Sequence, residues 1–111
     1  MMKFENMWKT INMCKINKRI IKEVKYNEIK LNEYIIIDVR SRREFKEKHI
    51  DGAINIPLPE VKKNIEKYVK DTNKKILVYC EYGGRSTKAV KILEALGYRN
   101  IYNLKGGLEN I

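Results

Sequence analysis

Cys80 is the residue whose surroundings most favour chemistry. It follows the apolar, strand-like run at 76–79 and begins the segment Cys-Glu-Tyr-Gly-Gly-Arg-Ser at 80–86. Open α/β sheets bind their ligands at the carboxyl ends of such strands, and the two glycines allow backbone N–H groups to converge. The helix predicted to begin near Ser86 adds unpaired N–H groups and the positive end of its dipole. Because such groups lower a thiol pKa, we predict that Cys80 is a solvent-accessible nucleophile with substantial thiolate at neutral pH.

The other residues of this loop are candidates for substrate binding. Arg85 supplies a fixed cation that can form a forked hydrogen-bond pair with an anion. An inward carboxylate at Glu81 would raise the thiol pKa and repel anionic donors, so we expect this side chain to point outward. Tyr82 is expected at the rim of the pocket. The predicted substrate-binding residues are Arg85, Glu81, Tyr82, Gly83, Gly84 and Ser86.

Size and composition exclude several classes of protein. A chain of 111 residues, 43% of them hydrophobic, fits one globular domain. No apolar run approaches the roughly 18 residues of a membrane span, and we recognise no signal peptide. Its two cysteines, Cys14 and Cys80, cannot form a disulfide framework, and a free reactive thiol indicates a reducing compartment, so we expect a cytoplasmic location. Two cysteines and one histidine are too few for a four-ligand zinc site, so we expect no metal, and we expect no cofactor.

The net charge of +10 has two interpretations. It can mark a nucleic-acid or anionic-membrane partner. However, the lysines are spread through every segment and interleaved with glutamates, and no aromatic-plus-arginine stacking motif is present. We therefore favour a solvated surface, with no nucleic-acid partner and no stable membrane insertion. Its positive field would still attract small anionic substrates.

The chain divides into two regions. Residues 1–18 are rich in Met, Lys and Asn, and their apolar positions follow helical spacing at Phe4, Met7, Trp8 and Ile11. Such a helix could dock on the domain, fray, or lie on a membrane surface, and we favour docking or fraying. Residues 19–111 form the predicted globular domain.

Strands and helices alternate along residues 19–111. Apolar runs predict strands at 20–24, 34–37, 52–57, 76–79 and 101–104. Helices are predicted at 26–31, 41–48, 59–69 and 86–96, with a short one after the glycine pair at 106–107. The second of these helices begins at a capping box, Ser41 to Glu44. The inward side chains of the helix at 86–96 are predicted to be Ala89, Ile92, Leu93 and Leu96. This alternation predicts an α/β domain with helices on both faces of a parallel sheet.

Five ordered motifs resemble those of rhodanese domains. They are IIDVR with EF (36–40 and 44–45), HIDGAINIP (49–57), VYCEYGGRS (78–86), LGY (96–98) and LKGG (104–107). The resemblance implies a rhodanese-like, five-stranded parallel sheet wrapped by helices. It also implies a sulfurtransferase that passes a sulfane sulfur through a cysteine persulfide. The chain departs from the family near its end, where many members place a Trp after the Gly-Gly turn and this chain has Leu-Glu-Asn-Ile.

The implied reaction also follows from thiolate chemistry. Attack on the outer sulfur of thiosulfate expels sulfite and leaves a persulfide on Cys80, which cyanide or another thiol then removes. The expected partners are a small anionic donor such as thiosulfate and a thiol acceptor, either a small molecule or a thioredoxin-like protein. We expect a monomer or a weak dimer.

Two other functions compete with sulfur transfer. One is phosphatase or arsenate reductase activity. In the related phosphatases, however, five residues lie between the loop cysteine and the loop arginine. Here four residues separate Cys80 from Arg85, and the narrower loop suits a single sulfur atom. A non-catalytic binding or redox-sensing module is the other alternative, in which Cys80 forms a sulfenic acid or a disulfide with Cys14.

Three polar residues are expected to support the site. Asp38 and Arg40, at the end of the central strand, are expected to form a salt bridge that holds neighbouring loops, with Arg40 a weaker candidate for substrate contact. His49 could act as a general base, but a thiol that is already ionised needs none. The resemblance implies that His49 fixes a loop.

Overall fold

The computed structural model of the protein describes residues 22–111. The predicted extension at 1–18, Cys14 and the start of the strand predicted at 20–24 lie outside the described residues.

Five parallel strands form one sheet in the order β1-β5-β4-β2-β3. The strands are β1 (Glu23–Val24), β2 (Ile35–Asp38), β3 (Ile54–Asn55), β4 (Lys75–Tyr79) and β5 (Asn100–Leu104). β4 lies between β2 and β5 and pairs in parallel with both. Its residues 76–79 are buried because neighbouring elements cover both faces, which explains their continuous apolar sequence.

Within residues 22–111, three α-helices and three 3-10 turns lie between the strands, and a fourth 3-10 turn follows β5. The helices are α1 (Arg42–Glu47), α2 (Val61–Tyr68) and α3 (Gly84–Ala95), and the 3-10 turns cover Tyr26–Glu28, Leu31–Glu33, Leu58–Glu60 and Leu108–Asn110. α1 begins at the predicted capping box. The amide of Glu44 donates a 3.2 Å hydrogen bond to Ser41 Oγ, and the amide of Ser41 donates a 3.1 Å hydrogen bond to Glu44 Oε1. None of the helices in residues 22–111 has the length and apolar character needed to cross a membrane.

Successive residues of a strand contribute to two separate cores. Ile37 of β2 belongs to the core that includes the buried faces of α2 and α3. Its neighbour Ile36 belongs to the opposite core, together with Leu31 and Leu108 of the 3-10 turns. Helical segments therefore cover both faces of the sheet, as predicted, with the α-helices α2 and α3 on one face and single 3-10 turns on the other.

The structure corrects several details of the predicted elements. The helix predicted at 26–31 is wrong: Ile29 and Lys30 are extended and separate two 3-10 turns. The third strand contains two residues, and the terminal helix is one 3-10 turn. Leu96 is 38% exposed rather than inward, because the buried face of α3 runs through Ala89, Val90 and Leu93 and does not extend beyond Leu93.

Candidate functional site

Cys80 is the first residue beyond β4, at the carboxyl edge of the sheet. In the neighbouring strand, Asp38 pairs with Tyr79. One residue further, the amide of Val39 donates a 3.1 Å hydrogen bond to the carbonyl of Tyr79. The parallel pairing of β2 with β4 therefore places the segment around Arg40 beside the loop that Cys80 begins.

Hydrogen-bond donors from the loop surround the sulfur of Cys80. The amides of Gly83 and Ser86 donate to Sγ at 3.0 and 3.3 Å, and the Cys80 thiol donates to Ser86 Oγ at 3.5 Å. Gly83 reaches this position with a φ of 119°, which favours glycine. Burial alone would raise the pKa of the Cys80 thiol, but its hydrogen bond with the Ser86 side chain and those from the amides of Ser86, Gly83 and Arg85 outweigh burial and lower this pKa. The loop therefore favours the thiolate.

Cys80 is much less accessible than predicted. The residue is 1% exposed, and it belongs to the same apolar core as Val39, Ala89 and Val90. The prediction of a solvent-accessible sulfur is wrong for this conformation. The physical reason is that the loop whose amides surround the sulfur also closes over it.

The carbonyl of Gly83 attaches the loop to α3. It accepts hydrogen bonds from Thr87 Oγ1 at 2.7 Å, from the Thr87 amide at 3.1 Å and from Ser86 Oγ at 3.1 Å. Asn103 of β5 is 2% exposed and donates to Thr87 Oγ1 at 3.5 Å. Asn103 was not predicted as a site residue. Asn103 contacts α3 at Thr87, beside the loop, because β5 pairs with β4, and no local sequence pattern reveals that approach.

The C-terminal turn holds the start of the loop. The amide of Leu108 donates to the carbonyl of Cys80 at 2.8 Å, and the amide of Glu109 donates to the carbonyl of Glu81 at 2.9 Å. Gly107 passes so close that a Cβ at this position would lie 2.5 Å from the Glu81 oxygen. The glycine pair in the sequence signals a tight turn, but its contact with the Cys80 loop is visible only in the structure.

Arg85 is paired with a carboxylate of its own chain. Its two terminal nitrogens donate to the two oxygens of Glu44 at 2.7 and 2.9 Å. The hydrogen bonds from Arg85, assisted by those from Ser41, lower the pKa of Glu44 to about 2. In the sequence Glu44 belongs to the capping box and to the EF motif at 44–45. Neither pattern reveals that its carboxylate pairs with Arg85, the residue predicted to bind an anionic substrate.

Arg40 links the end of β2 to the loop. Both Arg40 and Asp38 are buried, and the guanidinium bonds Asp38 through Nε at 3.0 Å and through Nη2 at 2.6 Å. The expected salt bridge is therefore present. Nη2 also donates to the Lys48 carbonyl at 2.6 Å, and Nη1 donates to Glu81 Oε1 at 3.2 Å. The prediction that Glu81 points outward is wrong, because the side chain is 26% exposed and turns toward this buried cation.

The remaining predicted residues lie at the surface. Tyr82 is 71% exposed, and its position on the rim of the pocket stays a prediction. Gly84 is exposed and begins α3. The ring of His49 stacks on Phe45 with 3.7 Å between ring centroids, and its Nδ1 lies 2.6 Å from the Phe45 carbonyl oxygen. These contacts of His49 lie within its own segment of the chain.

The fold and the loop together define a class of protein: parallel α/β domains in which an ionisable thiol is held among backbone amides at the end of a central strand. Within that class, the chain belongs to the rhodanese-like domain family, whose model matches residues 22–111. This match covers the whole of the described structure, including all five strands and the Cys80 loop.

Individual relatives extend the comparison. Over 75 residues the chain is 45% identical to the thiosulfate sulfurtransferase PspE of Escherichia coli strain K12, covering 68% of this chain and 71% of the relative. It is 32% identical over 81 residues to the thiosulfate sulfurtransferase GlpE of Coxiella burnetii, covering 73% and 74%. A solved structure described as a rhodanese with anions from E. coli matches with a TM-score of 0.66 and 44% identity, over 70% of this chain and 91% of that one.

Proposed function

We propose that this protein is a sulfurtransferase that carries a sulfane sulfur as a persulfide on Cys80. The observation that carries the proposal is the pair of amides, from Gly83 and Ser86, at 3.0 and 3.3 Å from the sulfur. Thiolate and persulfide have the same negative charge in nearly the same place, so donors fixed there stabilise both states. The names of the PspE and GlpE relatives, both thiosulfate sulfurtransferases, support the same chemistry.

The reaction divides into two displacements. In the first, the Cys80 thiolate attacks the outer sulfur of thiosulfate, the S–S bond of the donor breaks, and sulfite leaves with the electron pair. Cys80 then carries the transferred sulfur as a persulfide anion. In the second, a thiolate or cyanide attacks that outer sulfur and releases the Cys80 thiolate. Each step conserves charge and needs no oxidant, reductant or general base.

Sulfur transfer requires that a donor reach a residue that is 1% exposed. The turn at Gly83 and Gly84 faces open space: a Cβ added at either glycine would meet no atom within 4 Å outside the adjacent backbone, so the tip of the loop is uncovered on that side. We propose that a small displacement of this tip admits the donor, while the carbonyl of Gly83 keeps the loop attached to α3.

Mass spectrometry of the intact protein tests the proposal. Treatment with thiosulfate is expected to add about 32 Da, one sulfur atom, and cyanide is expected to remove it as thiocyanate. Cys80→Ser should abolish both signals, and the matched variant Cys14→Ser should retain both. A wild-type protein that gains no sulfur and yields no thiocyanate would refute the proposal.

A non-catalytic or redox-sensing module remains the second candidate, and the burial of Cys80 is the observation that favours it. Under that alternative, peroxide would convert Cys80 to a sulfenic acid or to a disulfide with Cys14, and thiosulfate would leave the mass unchanged. Phosphate release from an aryl phosphate would instead indicate phosphatase activity.

We further propose an anionic sulfur donor such as thiosulfate and a thiol acceptor, which can be a small molecule or a thioredoxin-like protein. Because a free thiol such as that of Cys80 persists in a reducing compartment, we propose a cytoplasmic location. We also propose that the protein is a monomer or a weak dimer.

A further inference from the structure

We infer that Glu44 is a specificity-determining residue that competes with the sulfur donor for Arg85, and so disfavours the thiosulfate dianion relative to donors with less negative charge. This inference rests on the proposed sulfur transfer and deepens it. It concerns the choice of donor, whereas the proposed function concerns the persulfide itself.

The geometry of the ion pair carries the inference. A guanidinium binds a tetrahedral or planar anion most strongly through two parallel N–H groups. In Arg85 both terminal nitrogens are already used in this way, by the two oxygens of Glu44 at 2.7 and 2.9 Å. An anionic donor that needs the same fork must therefore displace a carboxylate.

The carboxylate is also held in place from its other side. Glu44 Oε1 accepts hydrogen bonds from the amide and the hydroxyl of Ser41 at 3.1 and 3.0 Å, as part of the cap of α1. Glu44 therefore cannot move away from Arg85 without also disturbing the start of that helix. Its pKa of about 2 keeps it ionised across the physiological range, so protonation does not relieve the competition.

The other charges at this edge of the sheet do not compensate. Arg40, the second arginine beside the loop, is paired with Asp38 and Glu81. The paired side chains in this group are thus two cations and three carboxylates, and the Cys80 thiolate adds a further negative charge. Counted over these paired side chains and the thiolate alone, the charge beside the sulfur is net negative, so these pairs leave no free arginine cation for a dianion.

A donor with less charge meets a smaller barrier. Methanethiosulfonate has the same transferable outer sulfur as thiosulfate but carries one negative charge instead of two, and it releases methanesulfinate where thiosulfate releases sulfite. Both reactions produce the same Cys80 persulfide. The pair of donors therefore isolates the effect of charge on the first displacement.

The test measures KM and kcat separately for persulfide formation from each donor in the wild-type protein and in Glu44→Gln. Glutamine is nearly the same size and can still complete a capping box, so α1 should be retained. We expect the KM for thiosulfate to fall about two- to fivefold, the effect of removing one partly exposed charge pair, with a smaller change for methanethiosulfonate.

Two further variants separate competition from other effects. Glu47→Gln removes the same charge from the same helix, but Glu47 is 67% exposed and pairs with Arg43, so its KM values should match the wild type. In an Arg85→Ala background, which we expect to raise the thiosulfate KM roughly tenfold through loss of a charge-assisted contact, Glu44→Gln should bring no gain specific to thiosulfate.

The outcomes distinguish this inference from the proposed function. If the wild type forms the persulfide but Glu44→Gln raises the thiosulfate KM or leaves it unchanged, Glu44 orients Arg85 rather than competing for it, and the inference fails alone. If Glu47→Gln lowers the KM equally, the effect belongs to net charge and the inference also fails. If the wild type forms no persulfide from either donor, the proposed function itself is overturned.

Discussion

The amide of Leu108 donates a 2.8 Å hydrogen bond to the carbonyl of Cys80, so the turn at Leu108–Asn110 directly holds the residue that begins the 80–86 loop. The adjacent Gly107 makes this approach possible. Its φ of 67° and ψ of −163° belong to a region that is essentially restricted to glycine. This turn is therefore part of the structure that positions the sulfur.

Substitution of Gly107 tests this relationship. In Gly107→Ala the new Cβ would lie 2.6 Å from the Cys80 oxygen and 2.5 Å from the Glu81 oxygen, in addition to the backbone strain. We expect the free energy of unfolding to fall by roughly 2–4 kcal/mol, measured by urea denaturation. Gly52→Ala is the matched control, because Gly52 has a φ of 86° but a Cβ there meets nothing within 4 Å. Equal losses in the two variants would show that the contact with the loop is unimportant.

Removal of the Ser86 hydroxyl tests the electrostatics of the thiol. Because that hydroxyl lowers the pKa of Cys80, Ser86→Ala should raise this pKa and move the pH profile of iodoacetamide alkylation to higher pH. At pH 7 the rate, normalised to its plateau at high pH, should fall roughly two- to tenfold, as expected for one hydrogen bond.

Thr87→Val provides the comparison for Ser86→Ala. It removes a neighbouring hydroxyl that bonds the Gly83 carbonyl instead of the sulfur, so its alkylation profile should shift less. A profile that is unchanged in Ser86→Ala would mean that the backbone amides alone set the thiol pKa.

The buried pair of Arg40 and Asp38 should be important for stability. In Asp38→Asn the cation of Arg40, which is 2% exposed, loses its closest carboxylate in an environment where water cannot replace it. We expect a loss of about 3–5 kcal/mol in the free energy of unfolding. Glu60→Gln breaks the exposed pair with Arg42 and should produce a much smaller loss under the same conditions. Similar losses would contradict the importance of burial.

The sequence was sufficient for the order of the elements and for the position of the sulfur. Continuous apolar runs predicted the buried strands, the Ser41–Glu44 spacing predicted the start of α1, and the glycines after Cys80 predicted a loop of converging amides. These features depend on residues within a few positions of each other, so the local pattern determines them.

Only the tertiary structure decided what the charged residues and the sulfur contact. Arg85 meets Glu44, Glu81 turns to Arg40, and Cys80 is enclosed, because the pairing of β2 with β4 brings segments that are distant in the chain to one edge of the sheet. A long charged side chain takes the partner that lies within its reach in three dimensions, and its neighbours in sequence do not specify that partner. For this reason the residue types predict a reactive thiol, whereas the ion pairs beside it are visible only in the three-dimensional structure.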